Sequence, residues 1–137
     1  MGSYISQTDI ENIYGSDNVA AWSDLTGGDT ADTTRIASSI AYAERYVDNK
    51  FRSSRYQVPF VATGSTLDPQ LVDWAASFAG DWLYRSRQIR RRIDTEGLTS
   101  AVVERVREEM AEALAGQIRL GVAEKADPMP SAPGCVF

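Results

Sequence analysis

The stretch that decides the fold is residues 68–93, DPQLVDWAASFAGDWLYRSRQIRRRI. Asp68 is suited to capping a helix, and Pro69 to its first position, where a missing N–H costs nothing. Leu71, Trp74, Ala75, Phe78, Trp82, Ile89 and Ile93 then recur at steps of three, four and seven. At 100° per residue they form a stripe roughly 100° wide, with Asp73, Ser77, Gly80, Tyr84, Arg87 and Arg91 opposite. The spacing predicts an amphipathic helix of about 25 residues, ~37 Å long at 1.5 Å per residue. Burying each large side chain of the stripe stabilises by ~1.5–3 kcal/mol or more. Leu71, Trp74, Phe78, Trp82 and Ile89 are therefore the expected core, against which the other helices pack.

The last two turns of this helix change character. Arg85, Arg87, Arg90, Arg91 and Arg92 place five arginines in eight residues. Some complement the C-terminal end of the helix dipole. The others are expected to face water, a neighbouring subunit or a nucleic acid backbone.

Upstream, residues 6–15 read as a short helix with a Ser6–Asp9 capping box and a stop at Gly15. Residues 17–22 add a turn or two ending at Trp22. Residues 23–33 are a loop in which Asp24, Asp29 and Asp32 surround Gly27-Gly28. Their spacing departs from the twelve-residue calcium loop and no glutamate closes it, so Asp and Thr are read as turn formers and caps. Thr33 or Thr34 is expected to cap a helix reaching about Lys50, with Ile36, Ile40, Ala43, Val47 and Phe51 on its inner face. Residues 52–67 break the helical period. Tyr56–Phe60 reads as extended, because a residue before proline avoids the α region, and the proline restricts any strand here to an edge.

Downstream, a helix from about 100 to 119 carries Val103, Val106, Met110, Leu114 and Ile118 inside. Glu104, Glu108, Glu109 and Glu112 make its other side strongly acidic, with Arg105 and Arg107 interspersed. A short connection lets it return antiparallel to the tryptophan-rich helix. Gly121 stops it. Residues 121–137 carry Pro128, Pro130 and Pro133, which preclude helix and favour an extended path. Ordering such a tail costs ~1–2 kcal/mol per residue in backbone entropy, so a partner is expected to hold it, with Val136 and Phe137 as anchors. The whole reads as all-α: a small helical bundle at 1–120 around a long central helix, an extended arm near 52–67 and an extended tail at 121–137.

Composition narrows the function. The 137 residues carry a net charge of −5, one cysteine and no histidine. The commonest general base and metal ligand is missing, so neither an enzyme nor a metal or other cofactor is expected. Cys135 alone excludes an internal disulfide framework. The acidic balance argues against a free-standing DNA-binding module. No apolar run approaches the ~18 residues of a membrane span, so no membrane contact is expected and the protein is expected to remain in the cytoplasm where it is made.

In order and spacing, the chain resembles the small phage head–tail connector, adaptor or head-completion proteins, including their Mu-like group. The resemblance is carried by Tyr4–Ile10 before a short helix, the Asp24/Asp29 loop, and Ala41, Ala43, Glu44 and Val47 running into Arg55–Phe60. It continues through the aromatic helix ending in arginines to Gln117–Val122. In this loop Thr26 and Gly27-Gly28 break the alternating Asp/Gly pattern often seen in the family, so no metal site carries over. The resemblance implies a subunit of a ring, commonly twelve-fold, beneath the portal in the virion neck. Such a ring extends the channel for genomic DNA, which passes without specific recognition, and docks a stopper or tail-completion protein. It implies portal contact for the tail (Pro128, Pro130, Pro133, Val136, Phe137). Arg85, Arg87, Arg90, Arg91 and Arg92 become candidates to pair with Glu104, Glu108 and Glu112 of a neighbouring subunit. The alternative is a small helical DNA-binding regulator reading DNA with the arginine-rich helix end.

Overall fold

The computed structural model describes residues 4–26, 30–62, 66–86, 99–118 and 120–124. Its described residues form five helices: α1 (Gln7–Tyr14), α2 (Ser16–Ser23), α3 (Thr33–Phe51), α4 (Pro69–Arg85) and α5 (Ser100–Leu114). The protein is an all-α bundle assembled on α4.

Local chemistry sets the helix starts. In α1 the Asp9 carboxylate accepts the Ser6 backbone N–H at 2.8 Å, one half of the expected capping box. Gly15, at φ +93°, ends α1 in a conformation that side chains disfavour. Asp68 caps α4, with Pro69 at its first position. The cap of α3 is Asp32 rather than Thr33 or Thr34: its carboxylate accepts the amides of Thr34 and Arg35. A carboxylate here also complements the positive end of the helix dipole.

The inner face of α3 is as the spacing requires, with Ile36, Ile40, Ala43, Val47 and Phe51 all buried. The Phe51 ring stacks on Trp74 of α4, centroids 5.7 Å apart. Leu71, Trp74 and Phe78 are buried, while Trp82 is half-buried against the core.

Two expectations for α4 need correction. The described helix ends at Arg85 with Ser86 as its cap, and Ile89 and Ile93 lie outside the described residues. Its expected outer side is also largely inside: Ser77, Gly80 and Tyr84 are buried. The reason is that α1 and α2 cover that side. The Tyr14 ring packs directly on Gly80, and its hydroxyl donates to the Ser77 carbonyl at 2.9 Å. Trp22 meets Tyr14 and Tyr84 edge-on at 5.3 and 5.1 Å.

α5 runs antiparallel to α4, because Asp73 and Trp74 meet Arg105 and Glu109 while Asp81 meets Thr99. Val103, Val106 and Met110 point inward; Leu114, expected inside, is 43% exposed at the helix end. The arm at 56–62 forms antiparallel bridges with residues 122 and 124. Gly121–Glu124, read from sequence as the start of a tail, thus lie against the fold, with Leu120 and Val122 buried.

Candidate functional site

The arginine-bearing end of α4 is built around a buried carboxylate. Asp81, 8% exposed, accepts from Arg85 Nε at 2.8 and 3.0 Å and from the Thr99 hydroxyl at 2.6 Å. The hydrogen bond to Asp81 holds the Arg85 guanidinium still more firmly protonated. Arg85 is therefore engaged within its own helix and is not set against the glutamates of α5. Arg87, Arg90, Arg91 and Arg92 lie outside the described residues.

A second guanidinium completes this end of the molecule. Arg35 donates from Nε to the Ser23 carbonyl at 3.0 Å and from Nη2 to Ser86 Oγ at 2.7 Å. Its guanidinium carbon lies 5.2 Å from the centroid of the Trp82 ring. One side chain thereby ties the end of α2, the start of α3 and the cap of α4. Arg35 lies off the Ile36–Ile40–Ala43 face of α3, and its contact with Trp82, a preferred partner for a cation, is visible only in the fold.

The acidic helix is divided by role. Glu109 accepts the Trp74 indole N–H at 2.9 Å and pairs with Arg105 at 3.1 Å, while Arg105 also reaches Asp73 at 3.5 Å. Glu104, Glu108 and Glu112 are exposed along one face. Among the described residues none of the three forms an ion pair or side-chain hydrogen bond. Three aligned carboxylates repel one another unless something positive lies across from them, so this face is suited to a basic neighbour.

The N-terminal segment and the arm meet at another carboxylate pair. Glu44 Oε2 accepts the amides of Tyr4 and Ile5 at 2.7 and 3.1 Å. The Tyr4 hydroxyl donates to Asp48 at 2.8 Å and accepts the Phe60 amide at 2.9 Å. Burial raises the Asp48 pKa above the usual carboxylate value, and burial also keeps the Tyr4 hydroxyl protonated. These titratable groups hold the chain together at packing contacts.

The arm is fastened to residues 120–124 by backbone and side chains alike. Gln57 donates to the Ala123 carbonyl at 3.0 Å, and Ala123 donates to Val61 at 2.8 Å. The Leu120 amide donates to the Tyr56 hydroxyl at 3.0 Å, and the Gly121 amide to Asp68 at 2.7 Å. Residues past Glu124, including Pro128, Pro130, Pro133, Val136 and Phe137, lie outside the described residues.

These features define a class: a helical protein whose buried and half-buried polar side chains are spent on positioning its elements. The family model for Bacteriophage Mu, Gp36 matches residues 4–136, nearly the whole chain. The chain belongs to the Mu Gp36 family and is a bacteriophage protein. No match was found among curated proteins. No described helix is long and apolar enough to cross a membrane.

Proposed function

We propose that this protein is a non-catalytic head–tail connector of a tailed phage. Copies of it form a ring, commonly of twelve, beneath the portal in the virion neck; the ring continues the DNA channel and receives a stopper or tail-completion protein. The observation that carries this reading is membership of a Mu family across residues 4–136, on a helical body that exposes a row of glutamates along α5. The exposed face of Glu104, Glu108 and Glu112 offers a counterpart for Arg87, Arg90, Arg91 and Arg92 of an adjacent subunit, Arg85 being held by Asp81 of its own helix. An acidic balance also suits a conduit, since a lumen rich in phosphate-binding cations would retain DNA through many salt-sensitive contacts.

The test is particle mass and negative-stain imaging of the full chain, alone and mixed with its phage's portal. A portal-bound ring that is lost when residues 125–137 are deleted supports both the connector reading and portal contact by the tail. The deletion starts at 125 because Val122–Glu124 hold the arm. A protein that stays monomeric and ignores the portal under all conditions overturns the reading.

A further inference from the structure

Two clefts lie on different sides of α4. The first, of about 160 Å³ between α1 and α4, is lined by apolar Ile13, Val72 and Ala76, with Asp9 and Asp73 at its rim. Asp73 and Glu109 share the Arg105 guanidinium, and Asp9 is a further carboxylate on the rim. Asp9 also accepts the Ser6 amide. The second, of about 150 Å³ between α3 and α5, is lined by Met110, Ala111 and Leu114, with Lys50 and Arg107 beside them and no carboxylate. Arg107 lies over the Phe78 ring at 5.9 Å and Lys50 over Tyr46 at 5.4 Å, which fixes both cations beside the apolar surface. At 100° per residue, Val72 and Ala76 stand roughly 120–160° around α4 from Phe78. A chain cannot close one cleft on the other, but two chains can.

We propose that these surfaces are the two halves of a head-to-tail contact between copies of this chain. Leu114, exposed at the end of α5, enters the α1–α4 cleft of the next copy, and Lys50 and Arg107 face the carboxylates on its rim. Charge complementarity selects this occupant: the side chains lining each cleft combine apolar groups with charges of one sign, and the signs are opposite. A contact between two different patches is heterologous, and it closes into a ring when its rotation divides the circle. The inference rests on the ring reading above and locates a subunit contact in the described body, apart from the arginine cluster.

The test uses the full chain carrying Cys135→Ser. Val72→Cys and Leu114→Cys are introduced separately and together. Under mild oxidation, the doubly substituted protein is expected to form a ladder of disulfide-linked oligomers, and a mixture of the two single variants a dimer. Bridging requires Cα atoms within about 7 Å, so random collision does not yield an ordered ladder. Leu114→Asp, with helix content unchanged by circular dichroism, is expected to reduce assembly of the otherwise native chain by about tenfold or more, as loss of a central anchor does. Native-chain rings that persist in Leu114→Asp, with no ladder from the cysteine pair, overturn this contact and leave the connector reading standing. A native chain that stays monomeric, with or without its portal, and gives no ladder overturns both.

Discussion

One carboxylate oxygen of Asp68 accepts the Gln70 amide at 2.9 Å and the other accepts the Gly121 amide at 2.7 Å. The same side chain therefore caps α4 and binds a segment more than fifty residues later in sequence. Asp68→Ala removes a helix cap and a charge-assisted hydrogen bond together. The expected loss is about 2–3 kcal/mol in urea denaturation. Asp68→Asn keeps one carbonyl oxygen and should lose roughly half as much. In both variants amide exchange at Gly121 should accelerate; unchanged protection would mean that Asp68 does not hold this segment.

Gly80 is required by the ring above it. A Cβ there would overlap the Tyr14 ring. Alanine favours helix by about 1 kcal/mol over glycine, but overpacking costs about 1–3 kcal/mol, so Gly80→Ala should be net destabilising. Tyr14→Leu should suppress that penalty in a double-mutant cycle, because the pair shares one contact. Additive effects would show that the ring and the glycine do not meet.

Asp81 and Arg85 should behave unequally although they form one ion pair. Asp81→Ala strips the acceptor from both Thr99 and Arg85 in a buried setting and should cost about 2–3 kcal/mol. Arg85→Ala removes a largely exposed partner and should cost under about 1 kcal/mol. Equal losses in thermal denaturation would refute this ordering.

Asp48 gives the fold a pH signature. Burial raises its pKa above the ordinary 3.8, against the opposing hydrogen bond from Tyr4 and the charge of Arg52. The folded state thus holds this proton more tightly than the unfolded chain does. The group's favourable contribution is complete below the ordinary value and is lost as pH rises through the raised one. Asp48→Asn should gain stability relative to the native chain between pH 4 and pH 7 in matched melts. A difference independent of pH would contradict the assignment.

Duplex DNA binding separates a connector from a regulator. Weak binding that vanishes at moderate salt is expected, because a net charge of −5 leaves few phosphate contacts to survive screening. Retention at moderate salt with sequence preference would favour the regulator.

The elements readable in the sequence were those with local causes. The period of Ile36, Ile40, Ala43, Val47 and Phe51 gave the buried face of α3, and Asp68-Pro69 gave the start of α4. The far side of α4 was misread because Ser77, Gly80 and Tyr84 look polar or small, whereas the run from Ala75 to Gly80 marks a helix that others approach closely. A helix covered on more than one side loses its single stripe. The pairing of the arm with residues 120–124, and Arg35 joining three elements, depend on contacts distant in sequence, which no local pattern encodes. Of the proposed assembly surface, the acidic row of α5 was legible from its spacing. The fate of Arg85 was not, because its partner Asp81 looks like any solvent-facing acid.

The fastening of residues 120–124 has a mechanical consequence. Tension applied to the chain beyond Glu124 does not reach a single weak bond. It divides among the Tyr56 hydroxyl, the Asp68 carboxylate, and the backbones of Gln57 and Val61. From Tyr56 the load passes by ring contact to Phe51 at the end of α3, and from Asp68 to the first turn of α4. A tug at this end is borne by the two longest helices together, so the body moves as a unit before the segment peels away.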